Sequence, residues 1–122
     1  MSDIKVVEKG WGREEIWAAT RSYCGKLLHF ETGSKFSMHF HATKDETWYI
    51  LKGSFLLTYI DTRDASSHTV TLEEGDVWRN EPNEPHQLLC LQEGTVIEVS
   101  TYDDPNDNYR VLPGDSQEPL KQ

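Results

Sequence analysis

Three histidines and one glutamate are spaced as the ligands of a metal site would be. His39 and His41 are two residues apart, Glu46 follows a short turn later, and His86 lies in a second segment. On a β-strand, residues two apart point to the same face, so the first two imidazoles would aim at one point about 7 Å apart along the chain. Glu46 can return its carboxylate to that point. Two imidazoles and one carboxylate are the three-ligand set of open catalytic sites for Zn, Fe, Mn or Ni.

The elements that must position these ligands are short β-strands. Apolar and polar residues alternate with period 2 in the runs 36–41, 55–60, 86–91 and 96–101. No stretch keeps a 3.6-residue period over three turns. Turn sequences separate the runs at intervals of about 8–12 residues, which is typical of a sandwich or a barrel. The sequence therefore predicts an all-β fold.

Two glycine-bounded motifs carry the four ligands. The first, G-x5-H-x-H-x4-E-x6-G, runs from Gly33 to Gly53, and the second begins at Gly75 and includes His86. Together they resemble the cupin superfamily, whose motifs read G-x5-H-x-H-x3–4-E-x6-G and G-x5-P-x-G-x2-H-x3-N. This resemblance implies a double-stranded β-helix, or jelly-roll barrel, of about 8–11 strands. It also implies one divalent metal ion (Fe, Mn, Zn or Ni) on the two histidines and glutamate of the first motif and the histidine of the second.

The second motif departs from the family pattern at three positions. Glu81 replaces a proline, Asn83 replaces a glycine and Cys90 replaces the final asparagine. Asn83 tolerates the left-handed conformation that a glycine would supply, so we expect the turn to form, with Pro82 stiffening it. Cys90 shares the parity of His86 but lies about 13 Å further along the strand, which predicts a buried packing role for it.

A closer resemblance covers nearly the whole chain. Residues 8–17, 25–29 and 96–104 look like small cupins known as mannose-6-phosphate isomerase-like, although His39 stands where those proteins often carry glutamine. This resemblance implies a metal-dependent isomerase or epimerase of a small phosphorylated or acidic sugar. In such an enzyme a general base moves a proton between C1 and C2 of the substrate. Two alternatives are a non-haem iron dioxygenase and a non-catalytic sugar- or metabolite-binding module.

The isomerase hypothesis names further residues. Candidate bases are Glu98, expected to point inward, and Tyr49 or Lys44 near the ligands. Cations available for a phosphate group are Lys26, Lys35, Arg79 and Arg110, whose alternative role is to solvate an acidic surface. Trp48 and Trp78 lie beside motif residues and are candidates for stacking on a sugar, with core packing as their alternative role.

Length and charge limit the remaining possibilities. The 122 residues suffice for one domain, which we divide into an N-terminal arm or edge strand (1–25), a barrel (26–102) and an extended tail (103–122). The net charge of −9 argues against nucleic acid or an anionic membrane as partner. No apolar run of membrane-spanning length and no export signal is present, so we expect a cytoplasmic protein. Cys24 and Cys90 are expected to be free thiols.

An outward apolar strand face would predict that the chain forms an oligomer. If Phe36, Met38 and Phe40 take the strand face opposite the histidines, they point outward. Together with the tryptophan-bearing N-terminal arm, such a face would need cover. The sequence therefore predicts a homodimer that acts on a small-molecule substrate.

Overall fold

The computed structural model describes residues 3–117, and these residues form nine β-strands. In chain order the strands are β1 (Lys5–Lys9), β2 (Gly12–Ala19), β3 (Cys24–Phe30), β4 (Met38–Phe40), β5 (Glu46–Asp61), β6 (Ser66–Leu72), β7 (Val77–Asn80), β8 (His86–Ser100) and β9 (Tyr109–Leu112). Every pairing between them is antiparallel. Within this part of the chain we find no helix with the length and apolarity that crossing a membrane requires.

Strands β5 and β8 form the long central pair, antiparallel over nearly their whole length. Midway the register shifts, and Gly53 and Gly94 lie against each other at that point. A Cβ on Gly94 would collide with the carbonyl of Lys52, so only glycine permits this close approach. Such a register shift bends both strands and helps the sheet to curl.

The other strands extend this pair on both sides. The sheet order is β1-β2-β3-β8-β4-β9, while β5 pairs with β8 and also with β6 and β7. The antiparallel sheet curls around its apolar side, as a jelly-roll barrel does. The predicted all-β barrel is confirmed, and β1 and β9 lie at the two ends of the order.

The turn of the second motif forms as the sequence predicts. Asn83 has a φ of 70°, in the left-handed region that a glycine would otherwise fill. Its backbone N–H donates to the carbonyl of His41 at 2.7 Å, so the turn before His86 is tied directly to the first motif.

The core is a cluster of aromatic and aliphatic side chains inside the barrel. Trp11 stacks on Phe30 with ring centroids 4.4 Å apart, and Phe30 meets Phe55 edge to face at 5.2 Å. Burying each such side chain contributes about 1.5–3 kcal/mol to folding. Phe36 lies where this core meets the histidines, 5.8 Å from Trp48 between ring centroids.

The position of Phe36 corrects one expectation. Phe36 and Met38 are buried and do not form an outward face with Phe40, which instead stacks on Tyr109 at 5.1 Å. The physical reason is that β4 begins only at Met38 and its register against β9 shifts before His39. Period-2 alternation therefore does not extend back to Phe36.

The C-terminal segment also differs from the expected extended tail. Its residues 109–112 form β9 on the edge of β4, and further contacts attach residues 103–117 to the barrel. The N–H of Lys35 donates to the Asp115 carboxylate at 2.8 Å, and the N–H of Gly10 donates to the Ser116 hydroxyl at 2.9 Å. Residues 118–122 of the predicted tail lie outside the described residues.

Candidate metal centre

Three strands bring the predicted ligands together. His39 on β4 lies directly opposite His86, the first residue of β8. His41 follows the end of β4, and Glu46 begins β5 after the intervening turn. One nitrogen from each histidine lies within 4.8 Å of the others. Oε1 of Glu46 lies 3.0 Å from Nε2 of His86 and 4.0 Å from Nε2 of His41.

Each of the three imidazoles is oriented by a backbone carbonyl. The carbonyl oxygens of Ser37, Asp107 and Glu84 lie 2.7, 2.6 and 2.9 Å from the Nδ1 atoms of His39, His41 and His86 respectively. Because a carbonyl can only accept, each Nδ1 carries the proton and each Nε2 is left with a lone pair. Metal-bound histidines typically have this orientation and tautomer.

The buried Nε2 of His86 provides a test of whether a metal fits. It has no hydrogen-bond partner within residues 3–117, although it faces the Glu46 carboxylate at 3.0 Å. A lone pair and a carboxylate oxygen at this distance repel each other unless a cation lies between them. The residues therefore fit a divalent ion.

Burial keeps His39 and His41 in the neutral form that a metal requires. Burial first, and then the neighbouring charge of His86, lowers the pKa of His39 to about 3. Burial likewise lowers the pKa of His41. Neutral imidazoles at neutral pH bind a metal without first having to release a proton.

A second layer of residues holds Glu46. The side-chain amide of Asn80, almost fully buried, donates to Oε1 of Glu46 at 3.3 Å, and Nζ of Lys44 lies 3.4 Å from Oε2. The indole N–H of Trp78 donates to Asn80 at 2.9 Å. Trp78 itself packs against Tyr59, outside the cavity, and reaches the ligands only through this chain.

Glu98 lies in the interior beside this carboxylate. Its oxygens accept hydrogen bonds at 3.1 Å from Nζ of Lys44 and from the indole N–H of Trp48. Burial, and then the negative charge of Glu46, raises the pKa of Glu98 to about 7, against the opposing effect of the lysines. A carboxyl group with such a pKa can both accept and return a proton near neutral pH.

Two buried lysines complete a charged cluster. Nζ of Lys44 lies 3.1 Å from Asp103, in addition to its contacts with Glu46 and Glu98. Nζ of Lys26 lies 2.8 Å from Asp103 and 3.1 Å from Glu14. Burial alone would lower the pKa of each lysine, but the surrounding carboxylates outweigh it and raise both pKa values. Both lysines are therefore charged at neutral pH.

A cavity of about 320 Å³ opens onto these groups. Its apolar wall consists of Trp11, Leu28, Phe36 and Trp48. Its polar wall consists of Glu14, Lys26, His39, His41, Lys44, Glu46, Glu98 and Asp103. Residues of the C-terminal segment, among them Pro105, Asn108 and Gln117, also line it. The volume is near the lower end for small-molecule sites.

Some of the predicted site residues lie elsewhere. Tyr49 is 43% exposed because it follows Trp48 on β5 and so takes the opposite face. Arg79 is paired at the surface with Asp45 and Glu81. Tyr49, Arg79 and Lys35 do not line the cavity, whereas Lys26, Lys44, Trp48 and Glu98 do.

Several residues of the site were not predicted from the sequence. They are Trp11, Glu14, Phe36, Asn80, Asp103 and Asp107. Most of them lie outside both motifs, so motif spacing could not identify them. The acidic pair at 103–104, directly after the last predicted strand, is the one sequence signal that could have located part of the cavity.

Comparison with known proteins agrees with this architecture. The family model described as "Cupin domain" matches residues 26–102. Oxalate decarboxylase from Bacillus subtilis at pH 4.6 superposes with a TM-score of 0.77 and 19% identity, covering 89% of this chain and 30% of that one. The formate complex of the Lactobacillus farciminis enzyme gives the same TM-score and identity, with 89% and 34% covered. The chain thus spans about a third of these structures, and at this identity the likeness concerns the fold alone. No curated protein sequence matches the chain significantly.

Proposed function

The chain belongs to the cupin domain family, and on that premise we propose that it is a metal-dependent isomerase or epimerase of a small, sugar-derived substrate. One observation carries this proposal: a buried carboxylate, Glu98, lines the same cavity as three of the candidate metal ligands, His39, His41 and Glu46. A proton-transfer enzyme needs a base held beside the point where the substrate is bound.

The connection between Glu98 and the ligands runs through Lys44. Its Nζ joins Oε2 of Glu98 to Oε2 of Glu46 at 3.1 and 3.4 Å. Lys44 and Trp48 together hold the base in one orientation, with one donor on each oxygen. This positioning lets Glu98 take a proton from one substrate carbon and return it to the neighbouring carbon without turning away.

The metal ion, the apolar wall and the histidines have separate roles in the proposed reaction. A bound divalent ion supplies Lewis acidity, which polarises a substrate carbonyl and acidifies the neighbouring C–H. Trp11, Phe36 and Trp48 form the apolar wall that keeps water away from the transferred proton. Neutral His39 and His41 present their Nε2 atoms toward the same point.

The cavity supports this function over its alternatives. A non-haem iron dioxygenase calls for an apolar pocket without a base, and a binding module calls for no base at all. Here five carboxylates and three ammonium groups line the space. A cavity rich in charged hydrogen-bonding groups suits an oxygen-rich substrate and a proton shuttle.

Deuterium exchange tests the proposal. Candidate aldoses, ketoses and their phosphate esters are incubated in D₂O with the metal-loaded protein, and solvent deuterium at C1 or C2 is measured by NMR. We expect exchange that falls by about 10²-fold in Glu98→Gln while metal content is unchanged. Glu93→Gln, at an exposed carboxylate, is the matched control. If no substrate exchanges, proton-transfer isomerisation is wrong. Oxygen consumption by the iron-loaded protein would then favour a dioxygenase.

A further inference from the structure

Both cations deep in the cavity are already paired with at least two carboxylates each. Nζ of Lys44 lies within 3.4 Å of Glu46, Glu98 and Asp103. Nζ of Lys26 lies within 3.1 Å of Glu14 and Asp103. An ammonium group has three protons to donate, so the three carboxylates around Lys44 engage all of its donors. Lys26 keeps one donor, but the two carboxylates beside it outweigh its single positive charge.

The net charge of the cavity also argues against an anionic ligand. Four carboxylates face two ammonium groups, which leaves two negative charges, and a divalent ion on the histidines would just balance them. At the rim Lys9 and Asp104 contribute one charge of each sign. In the ionised state that Glu98 needs as a base, the cavity holds no surplus positive charge for a phosphate or a carboxylate, whether or not the ion is bound.

We propose that the cavity takes an uncharged polyhydroxylated substrate, a free aldose or ketose, and excludes its phosphate ester. This deepens the proposed isomerase or epimerase function and rests on it. The inference also assigns Lys26 and Lys44 to the support of the carboxylates and removes them as receptors for an anion. Asp103, which bridges the two lysines, becomes the residue that determines this specificity.

The lining suits hydroxyl groups better than charges. Glu14 and Asp103 can accept hydrogen bonds from sugar hydroxyls, while the apolar wall of Trp11, Phe36 and Trp48 can cover the C–H face of the ring. A phosphate would instead lose its hydration next to carboxylates, without a free ammonium group in exchange. Such burial of an unpaired charge is strongly unfavourable.

Titration with inorganic phosphate tests the exclusion directly. Calorimetry on the Zn²⁺-loaded wild type and Lys26→Met should give dissociation constants that agree within about twofold, because Lys26 contributes nothing to anion binding. Asp103→Asn should bind phosphate at least tenfold more tightly than wild type, since it removes the negative charge between the two lysines and leaves one acceptor oxygen in place of two. If Asp103→Asn does not fold, Glu14→Gln is used in its place. It removes one of the two carboxylates beside Lys26 and none of those beside Lys44. The inference would be overturned if phosphate bound wild type with a sub-millimolar dissociation constant and bound Lys26→Met tenfold more weakly. It would also be overturned if neither Asp103→Asn nor Glu14→Gln bound phosphate more tightly than wild type.

The deuterium-exchange experiment separates this inference from the proposed function. Exchange into a free sugar but not into its phosphate ester supports both. Exchange into a phosphate ester but not into its parent sugar overturns the inference and leaves the isomerase in place. If neither exchanges, the proposed function fails, and the phosphate titration still decides whether the lysines bind an anion.

Discussion

The backbone carbonyl of Asp107 accepts a hydrogen bond from Nδ1 of His41 at 2.6 Å. The carboxylate of the same residue accepts hydrogen bonds from the backbone N–H groups of Ala42, Thr43 and Lys44. One residue of the C-terminal segment therefore orients a candidate ligand and caps the turn that leads from it to Glu46. Burial would raise the pKa of Asp107, but the hydroxyl of Thr43 and these three N–H groups together hold it at about 2.

Loss of the Asp107 carboxylate should weaken metal binding. Asp107→Ala leaves the N–H groups of the turn without their acceptor, which costs about 1–3 kcal/mol of folding free energy. We expect affinity for Zn²⁺, measured by competition with a chelator, to fall by about 10- to 100-fold, as for other residues that orient metal ligands. Asp64→Ala removes a smaller cap, on Ser66 in the exposed 61–66 hairpin, and should leave affinity unchanged. Unchanged affinity in Asp107→Ala would contradict this role.

The four candidate ligands should determine metal stoichiometry. His86→Ala or His41→Ala should remove stoichiometric metal from protein purified without added metal, with the β-sheet circular dichroism signal retained. His68→Ala, at an exposed hairpin position outside the site, is the matched control. Elemental analysis provides the measurement and also identifies the ion. A full equivalent of metal in the double variant would show that the site lies elsewhere.

Asn80 and Trp48 should affect different properties. Asn80→Ala removes the donor to Glu46, so we expect weaker metal binding. Trp48→Phe keeps the aromatic packing but removes the donor to Glu98, so we expect slower deuterium exchange with metal content unchanged. Measuring both properties in both variants checks the assignment. If Trp48→Phe loses metal instead, its indole supports the fold of the site and not the base.

Removal of Lys44 should destabilise the protein severely. Lys44→Met leaves three carboxylates around a buried position without their shared cation, which typically costs about 3–5 kcal/mol. Arg79→Met breaks pairs with Asp45 and Glu81 that lie at the surface, and should leave stability unchanged. Urea unfolding of the metal-free proteins gives the comparison. Equal stability of the two variants would show that the buried cluster reorganises without Lys44.

Cys90 should react slowly with thiol reagents in the native state. Its side chain is 1% exposed, and burial raises the pKa of the thiol, so little thiolate is available. Cys24 is also buried and should behave in the same way. Denaturation should make the labelling of both rapid. Equally fast labelling in both states would show that β8 is exposed at this point.

The homodimer stays a prediction and now depends on other surfaces. Phe36 and Met38 are buried, but β1 and β9 lie at the ends of the sheet order with side chains such as Val6 and Val111 about half exposed. We expect sedimentation to give the mass of two chains. Val6→Lys should shift the equilibrium toward one chain if β1 is the contact. A mass of one chain at every concentration would refute the dimer.

The sequence predicted the ligand positions because they depend on local rules. Residue parity on a strand brings His39 and His41 together, and the turn chemistry of Asn83 brings His86 to them. The same rule failed at Phe36, where the residue precedes the regular strand and a register shift intervenes. Period-2 reasoning holds only within an uninterrupted ladder.

The residues that long-range contacts bring to the site could not be found in this way. Asp103 and Asp107 are more than fifty residues from Lys44 in sequence, and no motif relates them. The sequence also could not predict the sign of the charge around the buried lysines. Lys26 looks like an anion receptor until the fold places Glu14 and Asp103 against it.

Two separate parts of the chain line the cavity, so substitutions in one part can leave the other unchanged. The candidate metal ligands lie within residues 39–86, inside the matched domain, while part of the lining comes from residues 103–117, beyond it. Substitutions at Asn108 or Gln117 can alter which molecules are admitted without touching any ligand. The selectivity of the cavity can therefore change between relatives while the candidate metal centre stays the same. Asp107 is the exception, because it belongs to the C-terminal segment but contacts His41 and the turn before Glu46.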